Sequence, residues 1–432
     1  MKRLLFYCQA ILLLSLPFCG FAQNASSQAS SEKRWFWGAD LRLRPKTWNN
    51  IWDTTDTRDD RAVFMRVRPR VWGGIRLGSG ISFQARITNE FRPYLKIYPK
   101  RDFTIHEFVF DNLFLELKGT LHPKLTVRIG RQDMMFGEGL VLIEGNPGDG
   151  SRTIYFNALR ATYAMKKGTL DAFVIVSPGK DRYLPVIHSQ SQTLLERAEE
   201  GAGLYWTREL SKSWRGEFYG MYKHEEARGK YLESDIGTWG SRISGKGAAG
   251  LEYTFEWALQ HGTYGTQGRL GNGGYAEIRR KWKAAPVTLR FNFTQLSGDK
   301  MGSSTQEGWD PIFSRWPKWS ELYLYTQTQE QGVAYWTNIR MYSPGLLWQI
   351  DAKSSLDFTY RKMSALQPRV LAQPQNPLSG LSRGHLWIPR YTYKVNRHWT
   401  TYLLTEILQP GNFYPDNRHW AYFIRWETML TF

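Results

Sequence analysis

Eight consecutive residues, Phe64-Met65-Arg66-Val67-Arg68-Pro69-Arg70-Val71, place three arginines at alternate positions. In an extended chain alternate side chains share a face, so Arg66, Arg68 and Arg70 project together while Met65, Val67 and Val71 project oppositely. Guanidinium groups stay protonated and do no acid–base chemistry. They hold anions, and their planar fork matches the two oxygens of a carboxylate or sulfate. The same phase sets Arg42 and Arg44 against Leu41 and Leu43, and Arg160 against Leu159 and Ala161. Arg86, Arg128 and Arg290 also fall at polar positions of alternating stretches. Arg66, Arg68, Arg70, Arg86, Arg128, Arg160 and Arg290 are therefore the candidate anion-binding track. The competing reading is a structural network with Asp40, Glu90, Glu116, Glu252, Glu256 and Glu427.

Other chemistry is sparse. The eight histidines show no metal-like pair spacing, and no phosphate-cradling loop is present. No cofactor or metal is expected and no enzymatic activity is indicated. A barrel-borne hydrolase, with Ser and His on one strand face, is a third alternative.

The arginines need strands to position them, and alternation supplies these. Leu251, Tyr253, Phe255, Trp257 and Leu259 alternate with Glu252, Thr254, Glu256 and Gln260. Ile81, Phe83, Ala85 and Ile87 alternate with Ser82, Gln84, Arg86 and Thr88, and Val287, Leu289, Phe291 and Phe293 with Thr288, Arg290, Asn292 and Thr294. In the last stretch Trp420, Tyr422, Ile424, Trp426, Leu430 and Phe432 share one face, opposite Arg425 and Glu427. Further strands are expected to start near Arg34, Asp60, Glu107, Leu125, Ile154, Thr169, Ala202, Trp214, Gly237, Gly274, Ala334, Ser355, Leu386 and His398. The total is about 18, an even number, with about 23 residues for each strand and its connection.

Composition decides what the apolar faces meet. The chain has 432 residues, 57 Lys plus Arg against 39 Asp plus Glu, and 15% aromatics, yet it is hydrophilic on average. Beyond the N-terminus no apolar run approaches the roughly 18 residues of a membrane-spanning helix. A soluble β-sandwich would also alternate, but 19 Trp and 23 Tyr suit the aromatic girdles of a transmembrane barrel better. An Arg facing lipid near the midplane costs about 2–4 kcal/mol, so the arginines are expected to face the lumen.

Residues 1–22 read as a secretory signal peptide: Lys2 and Arg3, an apolar stretch from Leu4 to Phe18, then Gly20-Phe21-Ala22 before the cut. Removing them takes away Cys8 and Cys19, the only cysteines, and lowers the formal charge from +18 to +16. Export without disulfides excludes a small disulfide scaffold and a thiol nucleophile, and puts nucleic acid out of reach as a partner. Residues 23–33 are expected to be a polar tail and 34–432 one barrel. Gly137–Arg152, Gly179–Glu199, Gly298–Trp319 and Gln367–Gly384 read as long outer loops, Leu121-His122-Pro123 and Lys166-Lys167-Gly168 as tight turns of the other rim. Pro69 and Pro389 are expected to mark bulges or strand ends.

Several ordered segments resemble the alginate export family of outer-membrane porins. They are Gly130-Arg131-Gln132, Gly137-Glu138-Gly139, Arg152, Phe156-Asn157-Ala158-Leu159-Arg160, Gln295 with Ser297-Gly298-Asp299-Lys300, Trp309-Asp310-Pro311 with Phe313, and Leu408 with Pro410-Gly411 and Phe413. The resemblance implies an 18-stranded barrel with an electropositive pore for an acidic polysaccharide. Asn157 departs from the family pattern, which has Asp there, and this implies a lost lumen salt bridge.

The sequence thus predicts an all-β, transmembrane antiparallel β-barrel of about 18 strands in the bacterial outer membrane. Its expected role is an anion-preferring passive channel for acidic, uronate-type poly- or oligosaccharide. Expected partners are that saccharide, outer-membrane lipid and lipopolysaccharide, and periplasmic secretion proteins. The alternative is a plugged surface barrel with a binding or structural role.

Overall fold

A computed structural model describes residues 33–52, 54–57, 59–96, 108–143, 155–179, 186–187, 197–282, 285–314, 320–323, 327–328, 330–332, 335–369 and 379–432. The chain divides into two units, Met1–Arg34 and Trp35–Phe432. Of the first, only Lys33 and Arg34 are described, so the signal segment lies outside the described residues. The second unit is the barrel.

Its strands, in chain order, are β1 (Trp35–Asn49), β2 (Ala62–Gly78), β3 (Ile81–Thr88), β4 (Phe108–Lys118), β5 (Leu125–Gln132), β6 (Phe156–Met165), β7 (Gly168–Ser177), β8 (Glu199–Glu209) and β9 (Trp214–Glu225). They continue as β10 (Ser234–Lys246), β11 (Leu251–Tyr264), β12 (Gln267–Lys281), β13 (Val287–Leu296), β14 (Ile339–Gln349), β15 (Ser354–Ser364), β16 (Ser382–Lys394), β17 (Trp399–Pro410) and β18 (Ala421–Thr431). Each pairs antiparallel with its sequence neighbours, and β1 pairs with both β2 and β18, which closes an 18-stranded barrel. Three short strands, Tyr94–Lys96, Val186–Ile187 and Thr305–Gln306, belong to the connections. Most predicted strand starts agree with these bounds within a few residues. Gly274 does not: it lies well inside β12, whose glycine-rich first half carries little alternation to read.

The two faces separate as the phase predicts. Val71 is 58% exposed, Trp239 62% and Leu259 60%, all on the outward face. Trp35, Trp37, Trp348, Trp399 and Phe432 are exposed near the short-turn rim. Near the other rim Trp387 stacks on Trp420, with centroids 5.6 Å apart. Pro389 sits inside β16 rather than at its end. Pairing with β17 lapses between Trp387↔Ile407 and Arg390↔Leu404 and resumes in the same register, so the missing N–H costs a rung without a bulge. Pro69 lies where regular β2–β3 pairing stops, one residue before Arg70↔Thr88.

Loop placement differs from the expectation of purely external loops. The described residues of two long connections, 133–155 and 297–338, include stretches that fold back among inward-facing wall residues. Phe136 stacks on Tyr205 of β8, with centroids 4.4 Å apart. Leu142 and Phe313 bridge the two loops, and the Phe313 amide donates to the Val141 carbonyl at 3.1 Å. Leu140, Val141, Trp309, Ile312, Phe313 and Trp336 are buried with inward Tyr219, Met221 and Tyr275 in one apolar cluster. Apolar side chains in a loop need a dry surface, and the lumen wall offers it. Most of Gly179–Glu199, and the middle of Gln367–Gly384, lie outside the described residues.

Candidate pore-lining site

The richest concentration of charge is where the first and last strands meet. Across β1 and β2 the register places Arg42 opposite Arg68, Arg44 opposite Arg66 and Asp40 opposite Arg70. Across β1 and β18 it places Lys46 opposite Arg425. Cations of like sign thus face one another on three adjacent strands, an arrangement that needs carboxylates close by. Arg66 Nε donates to Glu90 at 2.8 Å, Arg70 bonds Asp40 at 2.6 Å, and Arg44 bonds Glu427. Arg68 lies 3.7 Å from Asp40. Lys46 Nζ donates to Glu321 at 3.2 Å, and Arg425 pairs with the same carboxylate.

The remaining candidates are spread around the wall. Arg86 bonds Asp111 at 2.7 Å and Asp133 at 3.0 Å. The β3–β4 register shifts between Arg86 and Ile87, opposite Asn112 and Phe110, so Asp111 is the extra residue of a bulge that turns its carboxylate to Arg86. Arg128 and Arg160 face each other across β5 and β6, each held by an acid on its other side: Glu116 at 2.5 Å and Asp171 at 2.7 Å. Arg290 stands apart on β13 and bonds Asp357 of β15 at 2.8 Å.

The structure therefore brings Arg66, Arg68 and Arg70 together with Arg42 and Arg44, pairs Arg128 with Arg160, and leaves Arg86 and Arg290 separate. All seven candidates occupy the face opposite the exposed apolar side chains, and all seven stand within ion-pair reach of an acid. Their wetness is unequal: the side chain of Arg128 is 38% exposed and that of Arg68 only 2%. Asp40, Glu90, Glu116 and Glu427, named from sequence as competing partners, do pair; Glu252 instead meets Lys246 at the exposed short-turn rim. Lys46 and Arg425 were missed, although the polar phase of Arg425 was visible. Lys46 follows Pro45, which interrupts the apolar–polar pattern.

Opposite the basic seam the inner wall is tyrosine- and acid-rich. Arg242 bonds Glu217 at 3.0 Å and Glu138 of an inward loop at 3.3 Å, and Tyr219 donates to Glu256 at 3.1 Å. Arg160, Asp171, Arg215, Glu217 and Arg242 line a polar cavity of about 440 Å³. A buried ionic knot pins the second loop: Lys223 bonds Asp310 at 2.6 Å and Glu225 at 3.0 Å, and Arg269 bonds Asp310 at 3.2 Å.

Asn157 accepts from Arg131 Nε at 3.0 Å, so a hydrogen bond to a neutral amide stands where the family resemblance implies a carboxylate. The pair is not in the lumen. Arg131 and Asn157 share strand phase with the outward Ile129 and Leu159. Among the described residues one group, His224, Glu233 and Asp235, brings three possible metal ligands within 4.8 Å; Asp235 accepts from Tyr222 there and lies 3.0 Å from His224.

A closed 18-stranded barrel with an apolar outer belt and an ionic inner face is the architecture of an outer-membrane channel. The chain belongs to the Alginate export family, whose model matches residues 33–421. Its structural neighbours are outer-membrane porins. Acinetobacter baumannii OccAB1 is similar with a TM-score of 0.60 at 10% identity, covering 92% of this chain and 96% of that one. Pseudomonas aeruginosa OccK5 (OpdH) is similar with a TM-score of 0.56 at 10% identity, covering 91% and 97%. At such identities the likeness is one of fold. Comparison with curated proteins finds no match.

Proposed function

We propose that the protein is an anion-preferring passive channel of the outer membrane for acidic, uronate-type saccharides, alginate being one member of that class. The observation that carries this reading is the basic seam of β18, β1 and β2. There Arg42, Arg44, Lys46, Arg66, Arg68, Arg70 and Arg425 gather around the carboxylates of Asp40, Glu90, Glu321 and Glu427. In a low-dielectric wall such a gathering focuses a positive field into the lumen and selects anions. Membership of the Alginate export family supports the substrate class. Proteins of the periplasm that hand over the saccharide, and lipopolysaccharide at the outer rim, are the partners this role implies.

The test is single-channel conductance of the folded barrel in planar bilayers under a KCl gradient, repeated with oligo-uronate and neutral oligosaccharide as blockers. Chloride preference with block by the uronate alone is expected. A second reading, a plugged barrel with a binding or structural role, draws on the two loops that fill part of the lumen with Trp309, Phe313 and Leu142. A folded barrel without conductance would establish it in place of the first.

A further inference from the structure

Glu321 belongs to no wall strand. It comes from the long 297–338 connection, yet its carboxylate lies on the basic seam, bonded to Lys46 Nζ at 3.2 Å and paired with Arg425. The backbone that carries it is anchored without help from that carboxylate. Glu406 of β17 accepts from the Glu321 and Leu322 amides, each at 3.0 Å, and from the Ser320 hydroxyl at 2.6 Å. The Glu321 side chain also keeps 15% of its surface exposed, whereas those of Lys46 and Arg425 keep 3% and 2%. The Glu321 side chain is thus the least covered of the trio, and it is held through Oε2 alone, its Oε1 being buried without a hydrogen-bond partner.

We propose that Lys46 and Arg425 form a carboxylate-binding subsite of the pore, and that Glu321 is its internal occupant, exchanged for the carboxylate of an entering uronate. The inference rests on the acidic-saccharide reading above and adds the residues that first receive the sugar acid. Replacing one carboxylate by another keeps the charge on the two buried cations matched, so the exchange avoids the cost of leaving them uncompensated. Because Glu406 holds the backbone, a turn of the Glu321 side chain is enough, and the loop need not leave the lumen. A competing internal anion also sets affinity low, which suits a channel that must release what it binds.

The experiment compares wild type, E321Q and E321D as full-length barrels in planar bilayers, with glucuronate as the probe and glucose as the neutral control. Losing a charge-assisted competitor is expected to lower the half-blocking glucuronate concentration about tenfold in E321Q. E321D keeps the charge on a shorter arm and is expected to fall between the two; it carries the test if E321Q does not assemble. Glucose is expected to act alike on all three. A wild type that prefers chloride, with variants that bind glucuronate no better than it does, overturns the subsite alone. A wild type that lacks chloride preference, with no glucuronate block in any protein, overturns the acidic-saccharide reading and the subsite together.

Discussion

Arg290 lies flat across Gly345. The two face each other on β13 and β14, and the guanidinium passes over the glycine to reach Asp357 and Thr359 on β15. A Cβ built on Gly345 would stand 2.6 Å from Arg290 Nε. The same device recurs where Tyr219 crosses Gly240 on its way to Glu256. G345A is therefore expected to push Arg290 off Asp357 and destabilise the barrel by about 1–3 kcal/mol, the usual range for overpacking. The shift in the temperature at which the folded barrel loses its fast electrophoretic mobility measures this, and an unchanged midpoint would remove Gly345 from the account.

Neutralising Arg66, Arg68 and Arg70 together, as glutamines, is expected to lower chloride preference in a reversal-potential measurement. The three share one face of β2, and their acids Asp40 and Glu90 would remain behind to repel anions. An unchanged potential would dismiss these three as selectivity residues.

Asp310 holds two buried cations, Lys223 and Arg269, to the inward loop. D310N preserves shape but leaves Arg269 without its carboxylate and Lys223 with Glu225 alone, a change of about 3–5 kcal/mol for a buried pair. Lower resistance to urea, with noisier or larger single-channel currents as the loop loosens, is the expected result. If stability falls while the currents stay as in wild type, the knot serves the wall and does not restrain the loop.

Two loop phenols make a pH prediction. Tyr414 donates to Tyr323 at 2.8 Å, and burial pushes Tyr323 well above the ordinary phenol range and Tyr414 upward as well. A raised folded-state value means their stabilisation is complete below about pH 10, the unfolded phenol's range, and is lost as pH rises through the folded values. Tyrosinate absorbance, taken as the difference between wild type and a Y323F/Y414F barrel during alkaline titration, should show two late-ionising groups, moving to about pH 10 on unfolding. Their ionisation at pH 10 in the folded barrel would contradict this packing.

Strand phase made the barrel legible because lipid and water impose opposite demands on successive residues, and Arg66, Arg68 and Arg70 follow that alternation without a break. Partners were harder to read. Whether Arg86 meets Asp111 depends on a bulge, and whether Arg290 meets Asp357 depends on a glycine between them; neither follows from spacing along one strand. The inward loops left a signal in Trp309, Ile312 and Phe313, which are too apolar for a segment surrounded by water. Their destination needed the wall, since only the neighbouring strands β9, β11 and β12 show where Lys223, Gln260 and Arg269 converge on Asp310. Lys46 and Glu321 are 275 positions apart, and no local pattern links them.

The place where the ring is joined carries one more consequence. Lys46 meets Arg425 on the seam between the first and last strands, so bringing the two ends of the chain together means bringing like charges together. Until Glu427 and Glu321 are in place, that encounter is opposed by repulsion over a range that salt shortens. Sealing the cylinder thus brings like charges together inside the wall, an encounter that added salt is expected to ease.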